Sequence, residues 1–562
     1  MNTTSVKITF GLYASIKDDA ALDTSGIQEQ PFSSASDVKK GAIAGCPYIT
    51  LEPDYWLLDG TYKFMPDVDP RVGIMSANMS DGSGNFDAPP ILKISFSEPH
   101  SIGGITLKFA EYSGDYCNSL ALIYRNAAGA VIASDVYDPS GISFSSERAV
   151  DGFQAIEITF LSTNRPFRYF RLTGVDFGNL ITFTKVDIKS ASVVQQVDPI
   201  STVNSIDTFE LDLWSSEAAF SIINPTGDYA QLHNKQPIEV TETIDGEDIY
   251  IGRFYLDEWE NKTENVIHFR CFDAMGVLDS IPYLGGIIDG RSVKSELDRI
   301  LGDTGFQYEI DDALAAIPLR GLIPICSCRE ALHQVVFAIG AYITCSRTSF
   351  IKIKKTVLAK DIATPDYTIT KAEKGMEQSV ALKTLVTGVE ITSHQYAENT
   401  DATQLYNDVL AAGQQTIEFT APMHSLTITG ASIVESGSNY AVLSVPIDGI
   451  VTLVGLGYDD IAIKHGIYTS DLPAGTVKNT LSIPSATLIN EDNADEACLR
   501  VYEYHQQRFW QKVKLFVSLA TPGSTAEIDT LYNQKISGVV ESMSIDLAGG
   551  FISQTDIIGA VA

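Results

Sequence analysis

Asp303-Thr304-Gly305 spells the triplet used by acid proteases. That chemistry needs two carboxylates sharing one proton, each held on a tight turn after an apolar strand. Here the triplet follows Gly302, placed as the stop of a helix whose Val293, Leu297, Ile300 and Leu301 share one face, and no second copy is well placed. It reads as a loop after a helix. Cys326-x-Cys328 with Cys345 offers three thiolates, but the spacing is not the usual two-residue gap and no fourth ligand presents itself. Buried structural thiols are the reading, in keeping with the burial preference of free cysteine. The 8 histidines are scattered, without an H-E-x-x-H or nucleophile-elbow pattern, and His333 falls in an apolar helix as a core residue. Gly455-Leu456-Gly457 lacks the third glycine and the following helix of a dinucleotide loop, and no Walker-type lysine follows a glycine loop. The 71 acidic residues allow many carboxylate pairs, but glycoside cleavage depends on their separation, and the plain reading is a solvated acidic surface. No catalytic residue, metal ligand or cofactor-binding residue is assigned.

Two groups remain. Tyr55, Trp56, Tyr62 and Phe64 flank a turn at Asp59-Gly60. Aromatic faces beside a carboxylate suit sugar stacking and hydroxyl hydrogen bonds, which makes Tyr55, Trp56, Asp59, Tyr62 and Phe64 candidate carbohydrate contacts. The competing reading is that these rings pack a core or a partner surface. Ser327-Cys328-Arg329-Glu330 spells a capping box, with Ser327 and Glu330 holding the start of a helix through Ala331, Leu332, Val335, Val336 and Ile339.

The elements around these residues are mostly strands. Val6, Ile8, Phe10 and Leu12 alternate with Lys7, Thr9 and Gly11 as a half-buried strand. Residues 17–45 are small and polar and read as a linker, so 1–46 is a strand and arm. From 47 to 185 short strands with Gly, Pro and Asp punctuation argue a β-sandwich, including Ile91–Phe96 and Ile102–Phe109 around a Glu98-Pro99-His100 turn. A second β block covers 186–285, where Asp245-Gly246 marks a tight hairpin. The period changes over 286–355 to a small α/β unit containing a strand at Ser349–Lys354. Strands return at 356–399, an inserted β-domain is expected at 400–480, and 481–562 closes the chain with a helix capped by Asn493-x-x-Glu496 followed by strands.

At 562 residues, and roughly 150 residues per domain, about four domains are expected. Hydrophobic residues at 44% and charged residues at 20% exclude wholesale disorder and a bundle of membrane spans. A net charge of −32 repels phosphate, so stable nucleic-acid binding by the whole surface is not expected, whereas transient passage past a repelling wall stays open. The 7 cysteines are odd in number and scattered, which suits reduced thiols in a chain made in the cytosol. No basic-then-apolar leader opens the sequence, and the apolar stretch Val335–Ile343 is far short of the ~20 residues a span needs. No membrane insertion by this chain is expected.

ITLEPDYWLLDGTYKFMP, SDGSGNF, PPILKISFSEPHSIGGITLKF and FRYFRLTG together resemble a module of tail proteins of phages and prophages of Gram-positive bacteria, similar in outline to discoidin-type, galactose-binding-like sandwiches. The resemblance covers about 47–185, and no motif here matches that family's sugar or calcium ligands. A second resemblance lies in FSIINPTGDYAQLHNKQPIEVTETIDGEDIYIGRFYLDEWENKTENVIHFRCFDAMGVLDSIPYLGG, IPICSCREALHQVVFAIGAYITCSR, VYEYHQQRF and KISGVVESMSIDLAGGFISQTDIIG, which in this order look like the tail hub, or baseplate hub, of tailed phages and phage-tail-like particles. It covers about 186–395 and 480–562, and 400–480 departs from the minimal hub.

The hub resemblance implies a mainly β, multidomain chain: a sandwich, two tube-protein-like β-barrels and a small α/β domain. It implies no enzyme and no cofactor. It implies a homotrimeric ring with six barrels that matches a six-fold tail tube to a three-fold tip and gates the channel for genome ejection. The implied partners are the tail tube or distal tail protein, the tape measure protein, and central tip, spike or receptor-binding proteins, with transient DNA passage only. The implied place is the tail tip of a virion assembled in the bacterial cytoplasm. Strong acidity suits a channel wall, because like charge keeps exiting DNA from sticking. Two other readings stand beside it: a carbohydrate-binding adhesin contacting a cell-surface glycan, and a tail-associated hydrolase or peptidase.

Overall fold

The computed structural model describes residues 3–13, 16–17, 19–40, 50–53, 72–110, 113–146, 148–202, 205–214, 232–371, 373–470, 472, 474–484, 486–517, 519–530 and 534–561. The chain forms two compact units: Thr9–Thr182 with Asn224–Gln236, and Met1–Ile8 with Phe183–Ile223 and Pro237–Ala562. It is mainly β and multidomain. Among the described residues no helix is long and apolar enough to cross a membrane.

The first unit is a β-sandwich. One sheet orders its strands Ala21–Gly26, Ile91–Ile102, Val150–Thr163, Cys117–Arg125 and Val131–Tyr137; the other orders Ile74–Met79, Tyr169–Asp176, Thr106–Phe109 and Ser143–Ser145. Alternation builds it: Leu92, Ile94 and Phe96 are buried while Lys93 and Ser95 face out. Phe109, Tyr124, Phe153, Phe160 and Phe170 fill the core, with Phe160 and Phe170 stacked at 3.8 Å between centroids.

Two expectations need correcting here. The stretch expected as a linker contributes strand Ala21–Gly26, paired with Ile91–Ile102, and a short helix, Ala35–Lys40. It is polar because the strand lies at a sheet edge and is largely solvent-facing. Glu98-Pro99-His100 is not a turn. The strand runs on to Ile102, and its register jumps from Ser95 opposite Ala155 to His100 opposite Phe153. The extra residues bulge out, which accommodates a proline that has no N–H to donate. The chain then leaves this sheet at Gly103-Gly104 and enters the other sheet as Thr106–Phe109.

The second unit is built on a thirteen-stranded sheet. Its path includes Pro237–Ile244, Glu247–Thr263, Val266–Phe272, Thr208–Trp214, Ile188–Gln196, Lys535–Asp546, Ile552–Val561, Phe509–Phe516 and Lys374–Leu382, in that order. Asp245 and Gly246 join the first two of these strands with φ of 51° and 92°, the positive values a two-residue hairpin turn demands. The two β blocks expected as tube-protein-like barrels share one ladder, from Ser192 opposite Asp546 to Gln196 opposite Ser542. Among the described strands the sheet is open rather than closed into a barrel.

On this sheet sits the α/β block. Helix Val293–Leu301 ends at Gly302, whose φ of −52° is right-handed. Helix Cys328–Ile339 begins with a complete capping box: Ser327 Oγ accepts the Glu330 N–H at 3.1 Å, and Glu330 Oε2 accepts the Ser327 N–H at 3.4 Å. It ends at Gly340 with φ 70°, a left-handed cap. Leu332, Val335 and Val336 are buried in one core with Leu297, Ile300, Ile351 and Ile353, and Ile339 packs at its margin. The strand expected at Ser349–Lys354 runs from Ile351 to Lys355, between Tyr308–Ile310 and Ala341–Thr344.

Strands Gly388–Leu410 and Gly449–Tyr468 form one long ribbon, and Gly413–Glu418, Ser432–Ser436 and Tyr440–Val445 make a small sheet at its far end. That end has its own core around Leu443, Val451 and Leu453. Helix Ala494–Gln506 starts at Asn493 without a side-chain cap. Asn493 Oδ1 instead accepts the N–H of Asn490 at 2.8 Å, turning the side chain back into the preceding loop.

Candidate functional site

Residues 54–71, and with them Tyr55, Trp56, Asp59, Tyr62 and Phe64, lie outside the described residues. Their flanks are described, and both attach to one strand. Arg168 and Arg171 belong to the FRYFRLTG stretch and reach the chain just before residue 54. Arg171 donates to both oxygens of Glu52, with Nη1 2.8 Å from Oε1. Glu52 Oε1 also accepts the Tyr169 N–H at 2.8 Å, and Oε2 accepts the Thr50 hydroxyl at 2.8 Å. Arg168 Nη1 donates to the Pro53 carbonyl at 2.7 Å. After residue 71, the Gly73 N–H donates to Asp37 at 3.4 Å and Ile74 pairs with Leu172.

Asp115 completes the network, with Arg165 Nε at 2.8 Å, Arg168 Nε at 3.3 Å and Arg171 Nη1 at 3.7 Å. Glu52, Asp115, Arg168 and Arg171 are all buried. Buried charges of this kind are costly to remove from water and need opposite charges close by. The ion pairs hold these side chains in place, although Asp115 Oδ2 and Arg168 Nε have no hydrogen-bond partner, and the cluster anchors the chain. Residue patterns alone do not single out Glu52, Asp115 or Arg165; the spacing of Arg168 and Arg171 in FRYFR is the one available signal.

A second polar cluster lies in the other unit. Asp207 accepts the Gln196 N–H at 2.8 Å and the Ser346 hydroxyl at 3.1 Å. Asp273 donates its N–H to the Asp207 carbonyl at 3.0 Å, and its carboxylate caps the turn Ala274–Leu278 through Met275 and Gly276. Burial, with Asp273 beside it, pushes the Asp207 carboxyl well above the usual carboxylate range, and burial raises Asp273 to about 6. Cys345 is raised too, first by burial and then by the two aspartates. Each aspartate is only 3% exposed, which places the pair out of a substrate's reach, and their bonds tie a strand end to a helix start.

The remaining sequence candidates are dispersed. Cys328 Sγ points at the Ile300 carbonyl, 3.5 Å away, while Cys345 lies beside Asp273. Burial pushes the Cys326 thiol up to about 12. Among the described residues no three His, Cys, Asp or Glu side chains gather as a metal site. Thr304 of the Asp-Thr-Gly triplet closes the preceding helix, its hydroxyl donating to the Leu301 carbonyl at 2.8 Å. His333 contacts the Ser201 carbonyl through Nε2.

One sheet edge is exposed. Strand Lys374–Leu382 pairs with Phe509–Phe516 and ends the sheet path. Its Gln378–Leu382 portion is exposed on both faces, Val380 and Leu382 included.

No protein-family model matches the sequence, and no curated protein matches it. Solved structures do. The 43 kDa tail protein of prophage MuSo2 from Shewanella oneidensis matches over 66% of this chain and 94% of its own, with a TM-score of 0.38 and 11% identity. The prophage tail protein gp18 from Listeria monocytogenes matches over 68% and 91%, with a TM-score of 0.38 and 9% identity. Both are phage tail proteins. A family 32 carbohydrate-binding module of Clostridium perfringens NanJ, solved with galactose, matches 31% of this chain and 99% of its own, with a TM-score of 0.19 and 10% identity.

Proposed function

We propose that this chain is a structural tail-hub protein that closes into a three-fold ring at the tip of a phage or phage-like tail. The observation that carries the reading is the shared ladder between Ile188–Gln196 and Lys535–Asp546, which fuses the two hub-like β blocks into one sheet. That sheet ends on a strand, Lys374–Leu382, whose apolar residues Val380 and Leu382 face solvent. An exposed strand edge of this kind invites pairing with another chain, and a ring removes the exposed edge. The ring joins the six-fold tube to the three-fold tip and gates the path of the genome; its partners are the tube or distal tail protein, the tape measure protein and the tip or receptor-binding proteins. Its work is assembly and opening rather than bond-making. Mass photometry of the purified chain, or its position in a map of the particle, tests this: three copies are expected, and one or six copies in assembled particles defeats the reading.

The adhesin reading keeps one observation of its own. The stretch holding Tyr55, Trp56, Asp59, Tyr62 and Phe64 is anchored at both flanks to strand Tyr169–Asp176 by buried groups. Firm anchors on either side suit a stretch that meets a ligand. Glycan-array binding that disappears in Trp56→Ala, with the fold intact, is the result that favours it.

A further inference from the structure

From Thr384 to Ile463 the sequence has no Lys or Arg, against nine Asp and Glu. This stretch forms most of the long ribbon and all of the small sheet at its end. At that end Val409 and Ile450 are opposite each other in the ladder, 59% and 67% exposed, with Ile447 also in solvent. A cross-strand apolar pair left in water is unfavourable unless something covers it. Beside it Asp408 and Asp448 make no ion pair among the described residues. Asp448 accepts the Ala412 N–H at 2.8 Å and Asp408 accepts the Val409 N–H at 2.7 Å.

The same unit carries the complementary surface. Strand Ile351–Lys355 buries Ile351 and Ile353 and turns Lys352, Lys354 and Lys355 outward. Lys352 Nζ lies 5.0 Å from the centroid of the Phe350 ring, and Val357 is exposed beyond the strand. Lys354 and Lys355 face no carboxylate among the described residues.

We propose that the ribbon end around Val409 and Ile450 docks on strand Ile351–Lys355 of a second copy of this chain. Both surfaces are open on one chain, each pairs apolar side chains with uncompensated charge, and their charges are opposite. Two different patches meeting between copies make a head-to-tail contact, which repeats until the ring closes. The proposal rests on the ring reading only for the number of copies. Opposite charges across such a contact speed encounter and make association weaken with added salt.

The test uses the full chain, with sedimentation velocity at low and high salt and circular dichroism to confirm each fold. Asp408→Lys with Asp448→Lys, and separately Lys354→Glu with Lys355→Glu, are each expected to weaken self-association at least tenfold. All four changes in one chain restore it, because every contact again pairs opposite charges. If the oligomer forms as before in either double variant, or the folded four-fold variant stays dispersed, the docking site is wrong while the ring reading stands. If the unaltered chain is monomeric at every concentration and salt level, both are overturned.

Discussion

At the scale of single residues, the charges out of water decide most. Glu52 and Arg171 are buried and matched to each other, so removing one partner leaves the other uncompensated. Arg171→Met is expected to destabilise the sandwich by about 3–5 kcal/mol, and Glu52→Gln with Arg171→Met by clearly less, since no lone charge remains. Urea unfolding followed by aromatic fluorescence measures both. Asp273 behaves differently. Burial raises its carboxyl to about 6, against roughly 3.9 in an unfolded chain, so the native state holds the proton more tightly. The stabilisation is complete below about pH 4 and is lost as pH rises through about 6. Asp273→Asn keeps the capping oxygen and removes the titration. The variant is expected to gain of order 2 kcal/mol on the unaltered protein between pH 4 and pH 7. Thermal unfolding at the two pH values reads this, and an unchanged difference between the proteins refutes it.

At the scale of elements, the helix Cys328–Ile339 is the clearest case of local spelling meeting tertiary need. Its capping box satisfies two N–H groups that the helix leaves open, and Leu332 lies in the core beneath. Ser327→Ala is expected to cost about 0.5–2 kcal/mol and Leu332→Ala about 2–5 kcal/mol. Denaturant midpoints for the two variants check the order as well as the size. The companion motif at Asn493 shows why such spelling is incomplete. Asn493, at the same offset from a Glu, is drawn off by the Asn490 N–H, because a short amide side chain bonds whichever donor the loop presents. The bulge at Glu98-Pro99-His100 makes the same point for strands: a proline signals a break in pairing, while the neighbouring strand decides whether the break is a turn or a bulge.

At the scale of the whole molecule, the two compact units predict separable behaviour. Removing residues 20–177 and bridging the gap with a short Gly/Ser linker is expected to leave ring assembly intact, because the sandwich has its own core. Mass photometry of the shortened chain checks it; loss of the oligomer with the remaining strands folded makes the sandwich a structural joint instead. The acidic ribbon gives a second expectation at this scale, that assembly weakens as salt is raised.

The strand-rich class, the hairpin at Asp245-Gly246, the apolar helix at 328–339 and the inward turn of Val6, Ile8 and Phe10 were legible from the residues alone. These depend on neighbours a few residues apart, and side-chain period and turn chemistry act over that range. Tertiary structure alone decided that two β blocks share one ladder, that a polar stretch at 21–26 joins the sandwich, and that Glu52 meets Arg171 across 119 positions. It alone also brought Asp207 to Asp273. Pairings at such separations are set by which edges and charges remain unsatisfied once the local elements exist, and that is a property of the packed chain rather than of any window of its sequence.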